Sequence, residues 1–286
     1  MRELVILSGK GGTGKTSITA AFSSLAQNAV FCDSDVDAAN LHLVFDPTVI
    51  ETHIFEGGYL PQINKALCNQ CGICTDYCRF GAIKTTPLGE LFVDPLKCEG
   101  CRLCERVCPP HAITSQRSNN SRWYLSSSRF GPLVHAEMGP GEDNSGKLVT
   151  KLRNKAAAVS RVTKAAWIIN DGPPGIGCSA IASLTGADAV VVVTEPSAPG
   201  LHDLGRVLEL IDGFRIPTYA IINKHDLHPS STQRISAFLE SKNIPLIALV
   251  PFSENFTSAM VNGQSIIEYA PESEIAGILT RAWEKL

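Results

Sequence analysis

Two groups of residues in this chain have types and spacings that could do chemistry. The first is the row Gly9-Lys10-Gly11-Gly12-Thr13-Gly14-Lys15-Thr16, followed by Ser17. Glycines at that density let the backbone turn its N–H groups onto phosphate oxygens, and a helix starting there adds positive potential. Lys15 would bring a charge to the β- and γ-phosphates of a nucleotide, and the Thr16 hydroxyl would hold Mg²⁺. The second group is eight cysteines. Cys68, Cys71, Cys74 and Cys78 are spaced C-x2-C-x2-C-x3-C, and Cys98, Cys101, Cys104 and Cys108 repeat that spacing, with Pro109 after the last. Ala82-Ile83 is echoed by Ala112-Ile113, so the unit is duplicated. Zinc draws two separated cysteine pairs with a loop between them. Three close cysteines with a fourth set apart suit an iron–sulfur cubane instead, which predicts two [4Fe–4S] clusters.

The elements that must carry these groups can be read from apolar runs. Leu4–Leu7 and Ala29–Cys32 predict strands on either side of a helix reaching about Gln27. Ala165–Asn170, Ala189–Val193, Thr218–Ile222 and Leu246–Val250 predict four more. Helical patterns separate them around Leu201–Ile211, Ser231–Glu240 and Glu272–Lys285. Buried strands alternating with helices predict an α/β fold with a doubly wound, mainly parallel sheet. From about Phe45 to Asn144 the rhythm breaks. That stretch holds the cysteines, Ser/Asn/Arg-rich turns at Ser115–Arg122, and strand-like pieces near Trp123–Ser126 and Pro132–Ala136; a helix is expected from about Ser145. The expected organisation is a phosphate-loop core over 1–58 and 116–286, with an inserted bacterial-ferredoxin-like α+β module over 59–115.

Composition narrows the function. Hydrophobic residues are 44% and charged residues 19% of the 286 positions, an ordinary globular balance. A net charge of −3 gives no basic excess for phosphate-backbone contacts, so no nucleic acid is expected as partner. No apolar run approaches the length of a membrane span, and the N-terminal run is too short for a signal peptide. The expected location is therefore cytoplasmic. Ten cysteines in a reducing compartment argue for metal ligation over disulfides.

Lys10-Gly11-Gly12-Thr13-Gly14-Lys15-Thr16 resembles the deviant Walker A loop of the ATPases that include MinD, ParA, Mrp and the nitrogenase iron protein. The resemblance implies a homodimer with ATP sandwiched between subunits, Lys10 reaching the partner's phosphates and so tying hydrolysis to dimerisation. It implies that Asp35 is the switch I aspartate orienting the attacking water. Asp171 would be the switch II aspartate near Mg²⁺, and Pro173-Pro174-Gly175 a loop that moves when the γ-phosphate leaves. Asn223, followed by Lys224, resembles the base-contacting residue, and Pro251 a position lining the adenine pocket. Asp33 stands between an outer magnesium position and a turn residue, and Asp37 between function and capping. The cysteine runs resemble two-cluster ferredoxins, in which the fourth cysteine of each run serves the other cluster. That implies one set of Cys68, Cys71, Cys74 and Cys108, and another of Cys98, Cys101, Cys104 and Cys78. Arg79 departs from the pattern where a proline would match Pro109. Cys32 fits a buried small hydrophobe. Cys178 lies at the offset where nitrogenase iron proteins place a bridging-cluster ligand, but it lacks a second cysteine, and packing at a helix start is expected. The resemblance runs on through Asn144-Ser145-Gly146-Lys147 and Gly263–Tyr269.

These features predict an ATPase, yielding ADP and phosphate, that couples dimer rearrangement to electron transfer or metallocluster assembly and delivery, with a redox protein or metalloprotein as partner. The competing reading is a spatial-positioning ATPase like MinD or ParA, bound to membrane or DNA. It needs a terminal anchor or a basic face, and Ala276–Leu286 is only weakly amphipathic, so no membrane anchor is expected. A carrier like Mrp would use a C-terminal C-x2-C, and no cysteine follows Cys178.

Overall fold

A computed structural model describes residues 1–139, 142 and 146–286. Asn144 and Ser145, with the helix start expected there, lie outside the described residues. In chain order the first elements are β1 (Arg2–Ser8), α1 (Lys15–Leu25), β2 (Ala29–Asp33), α2 (Leu41–Phe45), β3 (Thr48–Phe55), β4 (Tyr59–Ile63), α3 (Ile73–Asp76) and β5 (Ile83–Thr85). Next come β6 (Leu91–Val93), α4 (Leu103–Arg106), β7 (Ile113–Arg117), β8 (Ser121–Ser128), β9 (Gly131–Glu137), α5 (Lys147–Thr163), β10 (Trp167–Pro174) and α6 (Cys178–Leu184). The chain continues through β11 (Ala189–Thr194), α7 (Ala198–Asp212), β12 (Thr218–Asn223), α8 (Pro229–Ser241), β13 (Leu246–Val250), α9 (Asn255–Val261), α10 (Ile266–Tyr269) and α11 (Glu274–Trp283).

The apolar runs form a sheet in the order β13-β12-β11-β1-β10-β2-β9-β8-β3. Pairing from β13 across to β9 is parallel throughout. Successive side chains of a strand alternate between faces, so each central strand feeds two cores. Leu4, Ile6, Val191 and Val193 pack with Ile18 and Phe22 of α1 and Leu279 of α11. Val5, Leu7, Val190 and Val192 pack with Leu204 and Val207 of α7 and Ile235 of α8. The central strands are therefore sealed on both faces, and ligands of such a sheet lie outside the carboxyl ends of its strands.

The stretch that breaks the rhythm contributes β3, β8 and β9 to the main sheet. The structure departs from the sequence reading at β10, which does not end at Asp171: it runs on to Pro174, with a register shift between Ile6 and Ser8 in its pairing with β1. Prolines enter an interior strand only at such an irregularity, where a ladder hydrogen bond is already lost. At the other end of the sheet Arg153 of α5 pairs with Glu3 at 2.7 and 2.8 Å and donates to the carbonyls of Ala182 and Thr185. The pair is almost fully buried, and every guanidinium nitrogen is satisfied, as burial demands.

The chain divides into two units, each with its own core. One comprises Met1–Thr52, Tyr124–Ala136 and the chain from α5 onward; the other comprises His53–Trp123 and a short return segment that begins at Glu137. In the second unit β4 pairs with β7 and β5 with β6, both antiparallel. Cys74, Ile83, Cys108, Ala112 and Ile113 form its buried centre, with Ile63, Leu91 and Val93 against them. Both repeated Ala-Ile pairs, Ala82-Ile83 and Ala112-Ile113, are buried. Among the described residues no helix is long and apolar enough to cross a membrane.

Candidate functional site

The loop Gly9–Gly14 joins the carboxyl end of β1 to α1, whose first residue is Lys15. Gly14 caps the helix in a left-handed conformation at φ 89°, and a Cβ there would collide with the Asn223 amide, so only glycine fits. Gly11 and Gly12 face open space. The Thr13 hydroxyl is buried and has no hydrogen-bond partner. A buried orphan hydroxyl beside open glycines at a helix N-terminus is the donor set a phosphate would complete.

Lys15 lies buried between two of the expected carboxylates. Its Nζ is 2.9 Å from Asp171 and 3.2 Å from Asp35. Asp171, at the level of β10 where it pairs with Asp33 of β2, also accepts from Thr16 Oγ1 and Thr19 Oγ1, each at 2.7 Å. Lys15, Thr16, Asp35 and Asp171 are thus one cluster, in which the carboxylates occupy the groups that phosphate and Mg²⁺ would compete for. Thr16 and Asp171 are the residues that would hold Mg²⁺, whose charge would offset that of the β- and γ-phosphates. Thr19 was not singled out from sequence, although its signal is there: one turn after Lys15, on the same helix face.

Burial draws the Lys15 ammonium down, but Asp171 and Asp35 outweigh it and hold it above its ordinary value. Asp33 is raised well above the carboxylate range by burial and then by Asp171, although Leu41 N–H donates to it at 3.2 Å. Asp35 is raised too, by burial first, with Lys15 opposing and Asp171 adding. A carboxyl raised in the folded state adds stability that is full below its unfolded pKa and is lost as pH rises through the folded value. The protein should therefore lose stability as pH rises from the ordinary carboxylate range through the raised values of these acids, while Lys15 stays charged. Asp33→Asn should flatten that slope in thermal unfolding without nucleotide or Mg²⁺. An unchanged slope would clear these acids of the effect.

Lys10 is held within its own subunit. Its Nζ is 2.6 Å from Glu195 and 3.2 Å from Ser197 Oγ, both just past β11. Glu195 also pairs with Lys224 at 3.0 Å; burial would lift its carboxyl, but the two lysines hold it below the usual range. Glu195 and Ser197 were missed from sequence, since a glutamate after a strand carries no local signature. Asn223 donates to the Thr13 carbonyl at 2.8 Å, and Lys224 to the Gly12 carbonyl at 3.0 Å. Ser17 Oγ lies 3.5 Å from the Met260 sulfur, away from the carboxylates. Pro251 follows β13 directly.

In the second unit several of the cysteines lie near one another across the two runs. Burial raises the Cys74 thiol, with Cys108 and Cys68 adding their charges. Burial raises Cys98 likewise, with Cys101 and Cys78 adding theirs. Cys104 is pushed up to about 11 by burial, then by Cys98, Cys101 and Cys74. Each fourth cysteine accepts a backbone N–H: Ala82 donates to Cys78 at 3.4 Å and Ala112 to Cys108 at 3.2 Å. Cys74 and Cys108 are buried, while Cys71 and Cys101 are exposed. Among the described residues no three His, Cys, Asp or Glu side chains converge tightly enough to hold a single metal ion. Cys32 is buried in β2 and raised by burial to about 12, so it is inert. Cys178 does not pack as expected: it is exposed at the start of α6, and its carbonyl lies against Gly146.

The sequence was compared with known proteins. A 231-residue stretch is 34% identical to the uncharacterized protein MJ0578 of Methanocaldococcus jannaschii, spanning 79% of each chain. A separate 46-residue match, 44% identical, is to the indolepyruvate oxidoreductase subunit IorA of Methanothermobacter thermautotrophicus, covering 15% of this chain and 7% of that one. The fold is that of the septum site-determining protein MinD complexed with Mg-ADP from Pyrococcus horikoshii, with a TM-score of 0.58 at 18% identity over 99% of this chain and 95% of the other. Residues 4–266 match the family described as the CobQ/CobB/MinD/ParA nucleotide binding domain. The chain belongs to that family of phosphate-loop proteins.

Proposed function

We propose that this chain binds and hydrolyses ATP as a nucleotide-sandwich homodimer, and that its cysteine unit carries two [4Fe–4S] clusters whose state is coupled to the nucleotide cycle. Family membership supports the ATPase part. The observation that carries the coupled reading is that one chain joins the Lys15–Asp35–Asp171 cluster to a duplicated run of eight cysteines, in which Cys74 lies near Cys108 and Cys98 near Cys78. Thiolates on one zinc stand close together, because all four bind the same ion. Thiolates around a cubane each bind a different iron and stand farther apart, which fits a set with no tight trio. The crosswise sets are the ones that would hold the clusters, and the Ala82 and Ala112 amides would steady the thiolates of Cys78 and Cys108. When bound, such clusters supply one-electron transfer or a store of iron and sulfide. The short match to an oxidoreductase subunit favours the same direction.

In this reading Lys15 exchanges its carboxylates for phosphate, which frees Asp35 to orient water. Lys10 leaves Glu195 and Ser197 for the partner's phosphates. Redox titration of protein holding ADP, or ATP in a hydrolysis-blocked Asp171→Ala variant that still binds it, tests the coupling. A tenfold difference in affinity between redox states corresponds to about 59 mV for a one-electron couple, and nucleotide affinity must shift by the same factor. Equal potentials and equal affinities in all states would end the coupled reading.

A second reading is a positioning ATPase with structural clusters, favoured by the fold shared with MinD over nearly the whole of both chains. It requires ATP-dependent co-sedimentation with lipid vesicles or DNA, which the first reading does not.

A further inference from the structure

β3 (Thr48–Phe55) ends the nine-stranded sheet, with β8 beside it and, among the described residues, no strand on its outer side. An edge of that kind is a template for pairing with a further strand, and proteins ordinarily blunt it with lysine, proline or a very short strand. β3 has none of the three. Its eight residues include no lysine, proline or glycine, and Glu51, its one residue among Asp, Glu, Lys and Arg, is engaged by Lys155 of α5 at 2.6 Å. Thr48, Val49, Ile50, Thr52 and Ile54 are exposed, Ile50 by 62% and Ile54 by 54%.

The order of residues along the strand indicates what would fit it. Side chains alternate across a strand, so Ile50, Thr52 and Ile54 share one face and Val49, Glu51, His53 and Phe55 the other. Laid antiparallel on a second β3 about a two-fold axis at Thr52, the strand is complementary to itself. Ile50 then stands opposite Ile54, Glu51 opposite His53, Val49 opposite Phe55, and Thr52 opposite its own copy. Paired β-branched side chains, paired threonines and an acid facing an imidazole are favourable cross-strand neighbours. An axis at Glu51 would oppose two acids and one at His53 two imidazoles, and either sets Thr52 against an isoleucine. A register shifted by one residue would turn the isoleucine face of one copy to the glutamate face of the other.

We infer that β3 is a docking edge for a second copy of this chain, joined antiparallel about Thr52 into one continuous sheet. Such a contact is isologous, so every favourable pair away from the axis occurs twice. It needs no nucleotide. The contact is therefore separate from the ATP sandwich proposed above and stands if that reading fails.

Sedimentation equilibrium of the full-length chain, anaerobic, with thiol reductant and without nucleotide, tests this. The wild type should be a dimer at micromolar concentration. Ile50→Lys and Ile54→Glu should each weaken it by about tenfold, because the two-fold axis repeats each lost pair. Both positions are exposed, so the fold of the single chain does not depend on them. The double variant sets lysine against glutamate at both places, a pairing that only the register about Thr52 provides, and should recover the dimer. Recovery cannot come from misfolding. A wild type that stays monomeric would leave the edge to another protein's strand and overturn the inference. So would single variants that dimerise as the wild type does, or a double variant as weak as the singles.

Discussion

Lys15→Ala is expected to abolish nucleotide binding, whereas Lys10→Ala should leave binding nearly intact and lower hydrolysis by about 10²–10³-fold. The two lysines are five positions apart in sequence and differ in their surroundings. Lys15 is buried at the helix start, and its ammonium already sits at 2.9 Å from Asp171, where a phosphate would displace the carboxylate. Lys10 instead points to Glu195 and Ser197 and makes no contact with Asp35 or Asp171. Loss of Lys15 also strands Asp171 and Asp35 without their cation, at a cost of about 3–5 kcal/mol in the nucleotide-free protein. Circular dichroism must therefore confirm folding before the binding result is read. Single-turnover hydrolysis and sedimentation with ATP would then separate the pair. Wild-type hydrolysis by Lys10→Ala would remove the reason to assign that lysine to the partner's phosphates.

Cys78→Ala is expected to lower the iron of anaerobically purified protein from about eight to about four atoms per chain. The loss should fall on the set containing Cys98, Cys101 and Cys104 and spare the neighbours of Cys78 in sequence. Cys108→Ala should do the reverse. Pairing each change with Cys101→Ala shows the difference: Cys78 with Cys101 should cost one cluster, and Cys108 with Cys101 both. Iron analysis and electron paramagnetic resonance of reduced protein report the outcome. Zinc in place of iron, or loss patterns that follow sequence neighbours, would rule out the crosswise sets.

The parallel core was legible because its strands are continuous apolar runs, as in Ala189–Val193, whose every residue is buried. β3 was not, because Thr48–Phe55 is largely exposed and places only Phe55 in a core, as an outer strand can. The phosphate-loop residues were legible from local spacing alone, since loop and helix are continuous in the chain. Glu195 lies far along the chain from Lys10, and only the sheet order, which puts β11 beside β1, brings the two together. Asn223 was expected to touch a base; what the structure adds is that its amide donates to the Thr13 carbonyl, a contact that depends on how closely Gly14 lets the two loops approach.

The sheet order has a consequence for how such a chain could be assembled. β3 and β8 are sheet neighbours, yet most of the cysteine unit lies between them in sequence. The unit is therefore a detour that leaves and rejoins the sheet at one seam. Holding the ends of a detour together costs loop-closure entropy, which grows only logarithmically, by about 0.6 kcal/mol for each doubling of length. The seam is thus nearly indifferent to what it encloses, and a long folded passenger burdens the sheet little more than a short turn. The same arithmetic lets the passenger be exchanged or deleted while the strands on either side keep their register.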